Sequence, residues 1–279
     1  MTLDRDTDLF LLEGEVWLLA RPIGSPTYDF MFDRYFACRR PYERPDQVTA
    51  VARLGAFDDY PALFDQLRAD GITLVNSPSQ HRLASELPAW YPLLEDLTPR
   101  STWFAEIPTA DVVERQFGWP VFVKGARSTA KHSPGLAIAN NATEFAALAE
   151  SYRRDRMLHW QTFCVREYLQ LRPVEGRGTT KIRPSFEFRT FWYRGQEVGA
   201  GRYWHDFATY DWSTTERMNA LRVAETAARR LAIPFVVVDI AQTIDGRWVV
   251  IECNDAQESG HAGVSPFALW QRVVEVAKG

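Results

Sequence analysis

Cysteine is scarce in this chain of 279 residues: only Cys38, Cys164 and Cys253 occur, with no CxxC spacing. That count argues against a disulfide framework or a thiolate zinc site, and it fits a reducing compartment. No apolar run approaches the ~20 residues needed to span a bilayer. The opening MTLDRDTDLF is acidic and lacks the n-region and h-region of a secretory signal, so a cytoplasmic protein with no membrane role is expected. Basic runs are missing and the net charge is −4, which argues against a dedicated nucleic-acid surface. There is no GxxxxGK[ST], no HxxxH, no internal repeat and no low-complexity tract. Ser101 and the cysteines show no nucleophile context.

What is present fits a globular enzyme or binding protein. Hydrophobic residues make up 46% and charged residues 24%, ordinary values for a packed chain. Aromatics reach 13% with ten Trp, which points to thick aromatic packing or ring-lined pockets. The length suffices for a large core and is near the size at which chains divide into domains.

Residues 1–95 read as a small α/β unit. Strands are expected at 16–20 and 48–54, a helix at 60–69 with Leu63, Phe64 and Leu67 on one stripe, and a strand at 72–76. Strand, helix, strand implies a parallel crossover. One further helix, interrupted by Pro88 and Pro92, is expected over 83–94. From about residue 96 the texture becomes antiparallel strands with single helices. Strands are expected at 120–124, 136–139 and 163–168, with a helix from Asn141 to about Arg154 opened by Asn141 and Glu144 in capping-box spacing. A hairpin is expected over 186–193 and 197–203, turning at Arg194-Gly195. An amphipathic helix over 215–231 should bury Met218, Leu221, Ala224, Ala228 and Leu231, and a closing helix should run over 266–277.

The most informative segment is FVVVDIAQTI-DG-RWVVIECN, residues 235–254. Asp245-Gly246 between two β-branched runs predicts a two-residue hairpin loop. Counting back from Ile244 opposite Arg247 places Asp239 opposite Glu252. Asn254 then shares their face, as do Val237, Ala241 and Val250. Opposed carboxylates repel across a strand pair, whereas two carboxylates and an amide oxygen form a hard donor set suited to Mg²⁺.

Other positions carry weaker signals. Lys124 ends the apolar strand VFVK and precedes GARSTAKHSPG, a small-residue loop with a second lysine, Lys131, as in a flap over phosphates. Glu187 and Arg189 share one strand face, and the expected turn pairs Glu187 with Arg202; arginine forks suit polyphosphate or carboxylate groups. Arg166, Glu167, Tyr168 and Leu169 leave a strand for a loop, a segment able to border a purine. His132, His205 and His261 are candidate bases only by residue type, and each reads better as a packing or surface residue. The stretch 172–183 is basic and without apolar periodicity, a substrate entry or a lid.

The order of these pieces resembles the ATP-grasp superfamily over roughly residues 96–265, most closely the clade named for one arginine and two lysines. It is also similar to the eukaryotic cell-division-cycle-123 protein group. The resemblance implies an α+β fold of two ATP-grasp lobes, over 96–170 and 171–279, preceded by a pre-ATP-grasp α/β domain over 1–95. It implies that Lys124, Lys131, Arg189 and Arg202 contact phosphates or transferred phosphoryl charge, that the 166–169 stretch borders adenine, and that Asp239, Glu252 and Asn254 hold Mg²⁺. ATP is the implied cofactor, and small-molecule or peptide carboxylates and amines are the implied substrates. The ribose-binding acid of such sites has no obvious counterpart after Leu169; Glu175 is a candidate by position alone. The activity implied is a carboxylate–amine ligase. The alternative is an ATP-binding assembly factor with a protein partner, and a third reading is transfer to another acceptor.

Overall fold

A computed structural model describes residues 9–20, 30–41, 44–55, 59–127, 137–176 and 183–279. Three sheets organise them, and the mixed α+β class expected from the sequence is what they form. The first sheet begins with a hairpin of β1 (Leu9–Leu12), which the sequence pattern did not announce, and β2 (Val16–Ala20), the expected strand. After the short α1 (Phe32–Tyr35), β3 (Cys38–Arg39) joins the edge of β1. Then β4 (Val48–Arg53), α2 (Tyr60–Ala69) and β5 (Ile72–Leu74) form the expected crossover, with β2, β4 and β5 parallel. Asp59 caps α2 by accepting from the Ala62 amide, and Tyr60, Leu63, Phe64 and Leu67 are its buried face.

The helix expected over 83–94 is two helices, α3 (Pro78–Ser85) and α4 (Leu87–Leu94). Ser77 and Gln80 close a reciprocal capping box that starts α3. The chain turns extended at Glu86, and Pro88 sits in the first turn of α4, where its missing N–H leaves no bond unmade.

The second sheet, ordered β6-β9-β7-β8, contains β6 (Ser101–Phe104), β7 (Val121–Gly125), β8 (Ile138–Ala139) and β9 (Phe163–Glu167). Helices α5 (Ala110–Phe117) and α6 (Ala142–Arg154) pack on it around Val121, Val123, Phe145, Phe163 and Val165. Asn141 caps α6 through the Glu144 amide, as its spacing implied.

The third sheet is antiparallel, ordered β11-β10-β12-β13: β10 (Glu187–Tyr193), β11 (Gln196–Arg202), β12 (Phe235–Gln242) and β13 (Trp248–Asp255). One face receives α7 (Thr214–Leu231) and α4; the other receives α8 (Pro266–Lys278) and part of the amino-terminal unit. The buried stripe of α7 is Ala220, Ala224, Ala227, Ala228 and Leu231, while Met218 is 49% exposed. Ala224, Ala228 and Leu231 lie on the expected stripe and Leu221 packs partly buried against the same core, so only Met218 departs from it. Among the described residues no helix is long and apolar enough to cross a membrane.

Two β-bulges change the expected registers. The hairpin of β12 and β13 closes through a three-residue loop, since Thr243 faces Arg247 and Gly246 supplies the positive φ of 88°. That longer loop shifts every pair by one. A bulge at Ile251 then shifts the register back, so that Asp239 faces Glu252 after all. Before that bulge, the longer loop places Val250 opposite Ile240, in the core beneath α7, and not on the Asp239 face where alternation had put it. In the β10–β11 hairpin a bulge beside Phe191 and Trp192 moves Arg202 opposite Phe188 and away from Glu187.

Beyond β13 the chain doubles back over β11. A Cβ on Gly201 would lie 2.4 Å from the carbonyl carbon of Gly263 and 2.5 Å from the Val264 nitrogen. Gly201→Ala should therefore lower stability by about 1–3 kcal/mol through backbone overpacking, read from urea unfolding midpoints. Wild-type stability in this variant would show that the 257–264 segment is not held against β11.

Candidate active site

Strand pairing lines up Arg189, Asp239 and Glu252 on three adjacent strands, β10, β12 and β13. Arg189 donates from Nε to Asp239 Oδ1 at 2.9 Å and from Nη2 to Oδ2 at 2.7 Å, a bidentate fork, and from Nη1 to the Gly260 carbonyl at 2.9 Å. Its guanidinium also lies 5.2 Å from the Tyr203 ring centre. Asp239 is fully buried. Glu252 accepts a short hydrogen bond from the Lys124 ammonium, which reaches across from β7 in the second sheet and is itself buried. The two opposed carboxylates are thus neutralised by two cations from different strands. Without them, like charges at this separation in a low-dielectric interior would oppose folding.

A cavity of about 460 Å³ opens beside this row, between the second and third sheets. Lys124 and Glu252 stand at its charged wall. Phe122, Ile138, Leu169, Leu171 and Ile251 form apolar wall, and Glu167 and Tyr168 lie along the strand exit. Among the described residues, no hydrogen bond uses the amides of Tyr168 or Leu169, which leaves donors for a planar heterocycle at that edge. A cavity with apolar walls, backbone donors at one edge and charges at its other wall suits an aromatic base joined to a polyanion.

Arg166 also lines the cavity, but its donors serve the protein. Nε donates to Ser101 Oγ at 2.9 Å, Nη2 to Thr98 Oγ1 at 2.6 Å and Nη1 to the Ile251 carbonyl at 2.7 Å. Burial lowers its pKa to about 10, with the Glu252 carboxylate opposing that shift. Arg166 therefore joins β9 to β13 and the 98–101 segment, with Ser101 as one of its bonding partners.

Asn254 pairs with Val237, two residues from Glu252 on the same face, outside the cavity wall. Lys131 and His132 lie outside the described residues. Arg202 is not brought to Arg189: opposite Phe188 it belongs to the other face, where its charge acts on Tyr210. Glu175 is exposed and does not line the cavity. Arg172 donates to Glu216 at 2.6 Å and Gln242 at 2.8 Å and covers the Phe186 ring, whereas Arg183 borders the cavity. His205 pairs at the surface with Asp206. The thiols of Cys164 and Cys253 are pushed up by burial, Cys164 to about 12.

Sequence reasoning missed Glu187 as a cavity residue. It is buried, and its Oε2 accepts from Trp204 Nε1 at 2.9 Å and Ser185 Oγ at 3.3 Å; all three residues border the cavity. The alternation of EFR put Glu187 on the Arg189 face, but the expected pairing with Arg202 gave it a different partner. His261 was also undervalued. Its ring lies near Arg53 of β4, with Arg53 Nη2 3.4 Å from Nδ1, and its Nε2 is buried with no hydrogen-bond partner among the described residues. Burial first, then the charges of Arg53 and Arg189, depress its pKa to about 3.

The donor set fits Mg²⁺. Among the described residues no three His, Cys, Asp or Glu side chains cluster for chelation. Mg²⁺, however, is held by one or two carboxylates together with phosphate oxygens and water. Asp239 and Glu252, with the Asn254 amide on their face, supply such a set, and Lys124 and Arg189 are cations that phosphate oxygens could draw off the carboxylates.

The model of an ATP-grasp domain family, family 3 of the clade named for one arginine and two lysines, matches residues 98–273. Among solved structures, the chain is similar to a RimK domain ATP-grasp protein from Sphaerobacter thermophilus, with 17% identity and a TM-score of 0.57 over 84% of this chain and 83% of that one. It is similar to the D-alanine–D-alanine ligase from Coxiella burnetii, with 15% identity and a TM-score of 0.60 over 82% and 67%. It is also similar to the ATP-grasp ligase PsnB complexed with precursor peptide PsnA2 and AMPPNP, with 17% identity and a TM-score of 0.51 over 85% and 78%. At these identities the likeness is one of fold. No curated protein matches the chain.

Two outcomes test the electrostatics. Arg189→Met, which strands the buried Asp239 charge, should cost about 3–5 kcal/mol in urea unfolding; a loss below about 1 kcal/mol would mean that Asp239 does not depend on the fork. The depressed pKa of His261 sets a pH window from 6.5 down to about 3. Above it the folded and unfolded rings are both neutral. Within it the unfolded chain binds a proton that the folded protein refuses, so stability falls as pH falls, by roughly 1 kcal/mol per unit for this partly covered ring. Wild type should lose that much more than His261→Gln as pH falls through that window; parallel curves would refute the assignment.

Proposed function

Because the chain belongs to the ATP-grasp superfamily, through a domain of the one-arginine, two-lysine clade spanning residues 98–273, we propose that it is an ATP- and Mg²⁺-dependent carboxylate–amine ligase. The observation that carries this reading is the row of Lys124, Glu252, Asp239 and Arg189 beside a cavity whose far edge offers the Tyr168 and Leu169 amides. Adenine would sit against Ile251, Phe122 and Leu169, and the phosphates would extend toward Lys124. The division into an amino-terminal domain to residue 95 and lobes over 96–170 and 171–279 belongs to the same reading.

In the first step a substrate carboxylate oxygen attacks the γ-phosphorus of ATP, the bridging bond to the β-phosphate breaks, and ADP leaves. In the second an amine attacks the acyl carbon of the acylphosphate, the carbon–oxygen bond to phosphate breaks, and the amine proton passes to solvent. Asp239, Glu252 and Asn254 would hold Mg²⁺, which neutralises phosphate charge when bound. Lys124 and Arg189 would leave their carboxylates for phosphate oxygens, with Lys131 as a further phosphate ligand. Arg202 is left out of the catalytic set, since its register separates it from Arg189. Such transfer needs positioning and electrostatics more than a protein nucleophile. The substrates would be small-molecule or peptide carboxylates and amines, and the free thiols support a reducing, cytoplasmic setting.

Titration calorimetry of ATP with Mg²⁺ tests the nucleotide site. Wild type should bind only with Mg²⁺, and Glu252→Gln should weaken that binding about tenfold or more. ADP release with pools of amino acids and peptides tests the ligase chemistry. Binding without ADP release from any pool would favour the assembly-factor reading; no binding would remove the nucleotide site itself.

A further inference from the structure

Outside the cavity, a buried polar cluster lies where the amino-terminal unit meets the other two sheets. His81 of α3 is its centre. The ring is buried and stacks on Tyr60 at 4.0 Å between centroids, with planes 2° apart. Arg127 Nη2 lies 3.0 Å from Nε2, and Nδ1 lies 3.1 Å from Asp255 Oδ2. A guanidinium only donates, so His81 accepts at Nε2 and carries its proton on Nδ1, which donates to Asp255. The arrangement is directional and uses both ring nitrogens.

The two partners stand at informative places. Arg127 is three residues beyond Lys124 and two past the end of β7, and its own amide is held by Gln161 Oε1 at 3.0 Å. Asp255 is the last residue of β13, directly after Asn254 and three after Glu252. Its carboxylate also accepts from Asn76 Nδ2 at 2.8 Å and the Gln257 amide at 2.9 Å. Asn76 in turn clasps the start of β12, donating to the Phe235 carbonyl at 2.7 Å and accepting from the Phe235 amide at 3.0 Å. One imidazole on the amino-terminal unit therefore ties together the ends of the two strands that bring Lys124 to Glu252.

We infer that His81 is a positioning residue: through Arg127 and Asp255 it sets the β7 strand end against the β13 strand end, and so the spacing between Lys124 and the Glu252–Asn254 metal donors. The amino-terminal unit is on this account part of the active-site frame. Its contribution to nucleotide binding rests on the function proposed above, whereas the bridge itself does not.

Three variants separate the possibilities. His81→Phe keeps the ring on Tyr60 and removes both hydrogen bonds. Arg127→Met removes the partly exposed end of the bridge and leaves the core intact. Glu86→Gln removes the other ionic neighbour of Arg127, 3.8 Å away, and leaves the bridge in place. Amide hydrogen exchange without nucleotide is the first readout. In His81→Phe, and equally in Arg127→Met, amides at both 124–127 and 253–258 should lose protection, and Glu86→Gln should match wild type. The second readout is calorimetric binding of AMPPNP with Mg²⁺, which should weaken about tenfold in each single variant and no further in the double variant, as expected for residues acting through one contact chain. Loss of protection in Arg127→Met confined to 124–127, or independent multiplying effects in the double variant, would overturn the inference. If His81→Phe does not fold, Arg127→Met decides it. If wild type binds no AMPPNP, the nucleotide reading fails and the exchange result still decides the bridge.

Discussion

Everything at the centre of this protein depends on neutralising two carboxylates that a β-ladder forces to face each other. Asp239 and Glu252 are cross-strand partners in a sheet covered on both faces. Their repulsion is cancelled from two directions, by Arg189 on the neighbouring strand and by Lys124 on a different sheet. The second of these has architectural force. An ammonium buried at the end of β7 has its counter-charge only when the second and third sheets are together, so the charge balance of the site and the docking of the two sheets are one event. In the function proposed above, the cations that neutralise these carboxylates are also those a polyphosphate would recruit, so ligand binding would exchange partners without exposing bare charge.

The frame around this row is built from polar groups that would be costly to bury singly. Arg166 commits its donors to Ser101, Thr98 and the Ile251 carbonyl. Asn76, His81 and Gln257 converge on Asp255. Each network joins elements far apart in sequence: Arg166 to Ile251, and Asn76 and His81 to Asp255. Such networks specify one relative placement where apolar contact would permit several.

Local signals were readable from the chain. The parallel crossover around α2, the Asn141 cap and the closing helix all follow from periodicity and capping over short windows. The facing of Asp239 and Glu252 was inferred from a regular two-residue loop, and it holds although the loop has three residues, because the bulge at Ile251 compensates. Arg202 shows the opposite outcome, since the bulge beside Phe191 has no compensating shift before Arg202. Bulges leave little trace in hydrophobic alternation, so register beyond one could not be read. Glu187 and His261 were undervalued, and His81 passed over, for a different reason. Their partners, Trp204, Arg53, Arg127 and Asp255, are distant in sequence or on other elements, and no spacing rule reaches that far.

The bulge at Ile251 also bears on how such a site can change over generations. Ile251 has no cross-strand partner, its carbonyl is fixed by Arg166, and its side chain lines the cavity immediately beside Glu252. Size or shape at that position can vary without disturbing a ladder pair, while the adjacent carboxylate keeps its place opposite Asp239. Recognition and charge therefore occupy neighbouring codons yet answer to separate constraints, and selection can retune what the cavity accepts while leaving the electrostatic row as inherited.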